Sequence, residues 1–229
     1  MYAITCEQGD VYWEKFREKS GFISSTQVAA IIHCSKNKSK RRLWEEMFEG
    51  RKRSTFVSDA MEMGQREEGR TLQECIDYLG VPDPVYRPGI ICDLSGDKFC
   101  CSPDAVVITQ SPEEEEVFMY GIEIKNRVHS APPSKPEEIP PDHLLQCFSS
   151  LHITQAAFWI LFTKCQETEE VSCFMIDRDD IAWEKIKSLA QEFRLLKTPP
   201  SRKTVRDRIV AEDILQRIRE GVFTLVQIP

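Results

Sequence analysis

The stretch Tyr120-Gly121-Ile122-Glu123-Ile124-Lys125 constrains the architecture of this chain more than any other. Apolar and charged residues alternate through it, the pattern of a half-buried strand. Side chains two apart on a strand leave the same face, so Glu123 and Lys125 stand together while Ile122 and Ile124 turn into a core. Upstream, Ser102-Pro103-Asp104 precedes the apolar run Ala105 to Ile108, which reads as a second strand. A hairpin joining the two sets Asp104 beside Glu123. Neighbouring carboxylates are hard oxygen ligands of the kind Mg2+ or Mn2+ prefers. A lysine beside them can orient an attacking water and stabilise charge developing on a phosphate. Each motif alone also reads as turn chemistry or a solvated strand face. Their order and spacing, with the acidic helix below, favour the chemical reading.

The remaining pattern places these motifs in an α/β context. Residues 10–20 predict a short helix with Trp13 and Phe16 on one side, and Ser24 or Ser25 caps a second helix through Val28, Ala29 and Ile32. A basic loop, Ser35 to Ser39, leads to a third helix bearing Leu43, Trp44, Met47 and Phe48, which Gly50 ends. A long helix is predicted from Val57 to Leu79. Strands follow from Val85 to Lys125, interrupted by turns at Pro88-Gly89 and Ser95-Gly96-Asp97. A proline-rich loop from Ser130 to Pro141 precedes a helix over 142–151, strands over 156–163 and 171–176, and a helix starting at Asp179 or Asp180. This order predicts an α/β sandwich with a central mixed β-sheet flanked by helices over residues 1–197. Thr198 to Ser201 reads as a linker to a C-terminal appendage, 198–229, made of an amphipathic helix and an apolar tail that packs onto the body.

With 41% hydrophobic and 29% charged residues, the composition is that of a globular domain. No apolar run is long enough to span a bilayer and the N-terminus does not read as a secretory signal, so a soluble, intracellular protein without a membrane partner is expected. Nine cysteines at irregular spacing lack the paired pattern of a zinc site and read as buried thiols in a reducing compartment. The net charge of −7 argues weakly against a polyanionic partner. The acidic excess, however, collects in Glu113 to Glu116 and Glu137-Glu138. Lys36 to Arg42 and Arg51 to Arg53 are strongly basic, so a basic groove on an acidic body remains open.

A third acidic position lies in the long helix, in Gly64-Gln65-Arg66-Glu67-Glu68. Neighbouring helical residues point about 100° apart, so only one of Glu67 and Glu68 can face a given site. Gly64 is expected to let this helix pass close to another backbone. The ordered set of Gly64-x-x-x-Glu68, Ser102-Pro103-Asp104, Glu123-x-Lys125 and a following helix carrying Gln146 resembles the phage lambda exonuclease and YqaJ-type viral recombinase family of the PD-(D/E)xK nuclease superfamily. Trp13-Glu14-Lys15-Phe16-Arg17 and Ile23-Ser24-Ser25-Thr26 look like that family's Trp-x-x-x-Arg and Ile-Thr-Ala-Ser segments. His143-Leu144-Leu145-Gln146 resembles its Tyr-x-x-Gln, with histidine in place of tyrosine.

The resemblance implies a restriction-endonuclease-like core and a metal-dependent deoxyribonuclease. Asp104, Glu123, the Ile124 carbonyl and Glu68 would hold Mg2+, with Mn2+ able to substitute, and Lys125 would activate or position water. It further implies a 5′-to-3′ exonuclease on double-stranded DNA whose terminal phosphate is held by Arg17, Ser24, Thr26 and Gln146. A trimeric ring and a single-strand annealing protein as partner are family expectations. An endonuclease or RNase of the same fold, or a non-catalytic module binding through the basic loops, are the alternatives.

Overall fold

The strands form two sheets. The computed structural model describes residues 2–4, 10–19, 21–52, 58–93, 96–110 and 116–228. In chain order the strands are β1 (Tyr2–Ile4), β2 (Ile23–Ser24), β3 (Val85–Tyr86), β4 (Ile90–Cys92), β5 (Phe99–Cys101), β6 (Ala105–Gln110), β7 (Val117–Arg127), β8 (Trp159–Cys165), β9 (Val171–Ile176) and β10 (Val222–Ile228). The helices are α1 (Val11–Lys19), α2 (Val28–Ile31), α3 (Lys40–Phe48), α4 (Asp59–Leu79), α5 (Pro141–Thr154), α6 (Asp180–Leu195) and α7 (Val205–Glu220). The expectations for Arg53, Val57, Ser95 and Glu113 to Glu115 fall outside the described residues.

The central sheet has the order β10-β9-β8-β7-β6-β3. It is mixed: β7 and β8 run parallel, and every other neighbouring pair is antiparallel. A smaller sheet, β1-β4-β5-β2, stands beside it. The sequence patterning gives a central sheet but does not show this second one. Three-residue strands carry too little alternation to announce which sheet they join.

Alternation along β7 sets the two faces. Ile122 and Ile124 pack with Ile160, Phe162 and the α4 residues Leu72 and Cys75. The opposite face packs Trp159, Leu161 and Phe174 against α5, α6 and α7 through Phe148, Leu151, Ile186, Phe193, Ile214 and Ile218. Gly121 is required here. It lies opposite Trp159 on β8, and a Cβ on it would sit 2.3 Å from the indole ring.

Helix starts follow local chemistry. The Ser58 side chain accepts from Met61 N–H at the head of α4, and Asp179 accepts from Ala182 N–H at the head of α6. Gly80, at φ +60°, ends α4 in the left-handed conformation. In the proline-rich loop, Ile139 is a buried anchor, and Pro141 opens α5 where a missing N–H costs nothing. The segment after residue 198 is continuous with the body. Ile214 and Ile218 of α7 join the main core, and β10 extends the central sheet by pairing with β9. The eight described cysteines are free thiols, and all but Cys34 are buried. Among the described residues, no helix is long and apolar enough to cross a membrane.

Candidate active site

The chain leaves the small sheet at β5 and enters the central sheet at β6 through Ser102-Pro103-Asp104. Trp13 of α1 fixes this crossover by donating from Nε1 to Ser102 Oγ at 2.9 Å. Antiparallel pairing of Ala105 with Ile122 brings Asp104 level with Glu123. Asp104 Oδ2 then accepts the Ile124 backbone N–H at 2.7 Å. The hairpin geometry expected from the alternation is therefore present.

Glu123 is almost wholly buried, at 2% exposure, and Asp104 at 4%. Glu123 Oε1 accepts from Lys125 Nζ at 2.6 Å and also from Gln146 Nε2 on α5. Its second oxygen, Oε2, is buried with no hydrogen-bond partner among the described residues. Burial is the largest influence holding the Glu123 carboxyl above its usual range, and repulsion from Asp104 adds to it. Asp104 is raised by burial too, although Lys125 and the Ile124 N–H oppose the shift. Burial works against the charge on Lys125, but Glu123 and Asp104 outweigh it and the ammonium is held well above its usual range. The site therefore holds two buried carboxyl groups biased toward the neutral acid beside one firmly protonated lysine. The nearby histidine, His143, is pushed down to about 3 by burial and by Lys125 and Arg127, so it stays neutral.

Helical phase separates the two candidate glutamates on α4. Glu67 pairs with Arg66 and Arg70 of its own helix. Glu68 lies close enough to the buried pair for its carboxyl to be raised, first by burial and then by Asp104, and for its own charge to raise Glu123. Its Oε1 accepts from Arg87 at 2.9 Å, a partner nineteen residues away that the sequence does not reveal. Gly64 is not forced by close packing, contrary to the expectation for it. A Cβ there would meet Asn126 Cβ at 3.9 Å, an ordinary contact. What joins α4 to β7 is Asn126, the residue after Lys125. Its Nδ2 donates to the Gly64 carbonyl at 3.0 Å, and its Oδ1 accepts from Thr71 Oγ1 at 2.9 Å and Gln166 Nε2 at 2.8 Å. Asn126 thus grips α4 on both sides of Glu68.

The residues assigned to a terminal-phosphate pocket have mixed placements. Ser24 ends β2, which pairs in parallel with β5 just before the Ser-Pro-Asp turn. Its Oγ lies 2.9 Å from Thr26 Oγ1, and Ser24 is buried while Thr26 is exposed. Their short helical turn packs against α5. Gln146 instead reaches the Glu123 carboxylate. Arg17 lies on α1 one turn beyond Trp13, and its side chain lies outside the described residues.

The donor set fits a hard divalent cation. Glu123 Oε2 is a buried carboxyl oxygen with no partner among the described residues, and a cation would relieve the burial cost and mutual repulsion that raise these carboxyls. Among the described residues, no three His, Cys, Asp or Glu side chains form a complete cage. Mg2+ is commonly held by one or two carboxylates, with water and phosphate oxygens completing its shell.

The YqaJ-like viral recombinase domain matches residues 12–157, more than half of the chain, and the match includes each of the site residues named above except Gln166. Comparison with curated protein sequences gives no match. Among solved structures, the alkaline exonuclease LHK-Exo from Laribacter hongkongensis aligns with a TM-score of 0.60 at 18% identity, covering 91% of this chain and 97% of its own. LHK-Exo in complex with dAMP aligns with a TM-score of 0.61 at 17% identity over the same shares. Likeness at that identity establishes a shared fold, the PD-(D/E)xK arrangement of a mixed sheet flanked by helices. With the motif order, the site geometry and the family match in agreement, the chain belongs to the YqaJ-like viral recombinase domain family.

Proposed function

We propose that this chain is a Mg2+-dependent nuclease, acting as a 5′-to-3′ exonuclease on double-stranded DNA and leaving 3′ single strands for recombination or repair. One observation carries the reading. Asp104, Glu123 and Lys125 converge at one site where Glu123 keeps a buried carboxyl oxygen with no partner among the described residues. Family membership supports nuclease chemistry, and the structurally similar LHK-Exo is named an alkaline exonuclease and has been seen with dAMP.

Asp104, Glu123 and the Ile124 carbonyl would hold the metal, with Glu68 at the flank. A bound divalent cation supplies Lewis-acid polarisation of the phosphate and lowers the pKa of water. The chain's own groups do the rest. Lys125 stays protonated beside Glu123, so it orients the attacking water and offsets negative charge on the phosphate, and does not serve as the base. Gln146 fixes the rotamer of Glu123. The water oxygen bonds to phosphorus, the bond to the 3′ oxygen breaks, and that oxygen leaves with a proton, giving a 5′-phosphorylated mononucleotide. By family resemblance Ser24, Thr26 and Arg17 would contact the terminal phosphate, and Ser24 pairs with β5 just before the Ser-Pro-Asp turn. Duplex DNA is the partner this reading requires; an annealing protein and a ring of three copies follow from family likeness alone.

The test follows a linear duplex labelled at defined ends, with and without a 5′ phosphate, beside a closed circle. Mononucleotide release from the 5′-phosphorylated end, with the circle intact, is the expected result. Cutting of the circle would instead assign an endonuclease.

A further inference from the structure

The basic run noted in the sequence is not used by the carboxylate site, and it does not stand alone. The loop leading into α3 meets the segment leading into α7, and Lys38, Lys40, Arg41, Arg202 and Lys203 line one cavity of about 530 Å3. Three of these cations already have partners: Lys38 with Glu46, Arg41 with Glu45, and Lys203 with the His33 carbonyl. Lys40 and Arg202 have no ion pair or hydrogen bond among the described residues. Lys40 is the more confined, and burial lowers its pKa although Asp207 and Glu192 oppose this. A cation held that way gains from an arriving anion. Ser35, Ser39 and Ser201 also line the cavity, and the amide end of α3 opens beside it. On a chain of net charge −7, two unpaired cations in one concave site are a local reversal of sign.

The loop that lines the cavity also touches the helix that carries Gln146. Lys36 N–H donates to Asp142 at 3.2 Å, and Asp142 lies in the first turn of α5, one turn before Gln146. We infer that this cavity, formed by the loop before α3 and residues 201–203, binds a phosphate group of the DNA substrate outside the cleavage site, with Lys40 and Arg202 as its free donors. This rests on the nuclease reading for the identity of the ligand, but not for the presence of an anion site.

The experiment compares full-length wild type with the double variant Lys40→Gln/Arg202→Gln and the charge-keeping variant Lys40→Arg/Arg202→Lys. Three quantities are read: the salt dependence of duplex binding by fluorescence anisotropy, the binding of inorganic pyrophosphate by calorimetry, and turnover of thymidine 5′-monophosphate p-nitrophenyl ester. That ester carries a single phosphate, so one molecule cannot fill both sites. The neutral double variant should bind duplex at least about tenfold more weakly near 0.1 M salt, and its log–log salt slope should fall by about one, for the one phosphate held. Its turnover of the small ester should be unchanged, and the charge-keeping variant should restore duplex binding. An unchanged Kd and slope would overturn the inference. Loss of pyrophosphate binding with an unchanged duplex slope would overturn it too, assigning the cavity to a free phosphate compound. If wild type turns over neither this ester nor, in the end-labelled assay above, the linear duplex, the nuclease reading fails by itself, while the anisotropy comparison still decides the cavity.

Discussion

Ile124 N–H donates to Asp104 Oδ2 across the β6–β7 pair, 2.7 Å from nitrogen to oxygen. One oxygen of the aspartate therefore holds the fold together, and its other oxygen is the one available for chemistry. Asp104→Asn keeps an acceptor for Ile124 but removes the charge. Its urea midpoint should stay near wild type while cleavage falls by about 100-fold or more. Asp104→Ala should lose stability as well, by about 1–3 kcal/mol, because the buried Ile124 N–H loses its partner. Equilibrium unfolding beside initial rates separates the two effects.

Gln146 tests whether its role is phosphate capture or carboxylate positioning. Since it donates to Glu123, Gln146→Ala should weaken Mn2+ binding by about 10–100-fold. It should also slow cleavage of 5′-phosphorylated and 5′-hydroxyl ends alike. A loss confined to 5′-phosphorylated ends would return Gln146 to the phosphate pocket.

The two glycines of β7 and α4 should respond in opposite ways. Gly121→Ala drives a methyl into the Trp159 ring and should cost about 1–3 kcal/mol or more in chemical denaturation. Gly64→Ala meets only an ordinary contact and should gain up to about 1 kcal/mol from helix propensity and a stiffer unfolded chain. A large loss at Gly64 would mean α4 lies closer to β7 than described.

His152 should make folding acid-sensitive. Its ring is stacked on Trp183 and its pKa is pushed down to about 3, by burial first and then by Arg178. Asp180 lies 3.7 Å from Nδ1, yet it does not form an ion pair near neutrality, because the ring stays neutral and its Nδ1 faces Arg178. The unfolded state binds the proton more readily, so this contribution is fully present above pH 6.5 and is lost as pH falls toward 3. At pH 5 the loss is about 2 kcal/mol. Urea midpoints of wild type should therefore drop between pH 7 and pH 5 more steeply than those of His152→Gln.

The part of this site that obeys a short period was legible in the sequence. Alternation placed Glu123 and Lys125 on one face, and the apolar run after Asp104 gave the hairpin that brings the carboxylates level. The elements around them also followed from periodicity and caps, including the Asp179 cap of α6, whereas the Ser58 cap of α4 was not read from the sequence. Contacts between distant segments were not legible. Arg87 reaches Glu68, Asn126 reaches both sides of α4, and Trp13 reaches Ser102 only because the folded topology brings them together. The choice between Glu67 and Glu68 needed the helical phase, which one Gly-x-x-x-Glu spacing suggests but does not set. The pairing of β10 with β9 was hidden for a similar reason, since an apolar tail carries no mark of which edge it will extend.

The most direct measurement is the cleavage rate of a linear duplex by wild type and Lys125→Ala, each titrated with Mg2+ and then with a chelator, with circular dichroism to confirm folding. Wild type should cleave only with the metal present, and the variant should lose about 100-fold or more while keeping its fold, because Lys125 is the cation beside Glu123. Cleavage that survives chelation, or a folded variant with full activity, would contradict a metal-dependent nuclease centred on Asp104, Glu123 and Lys125.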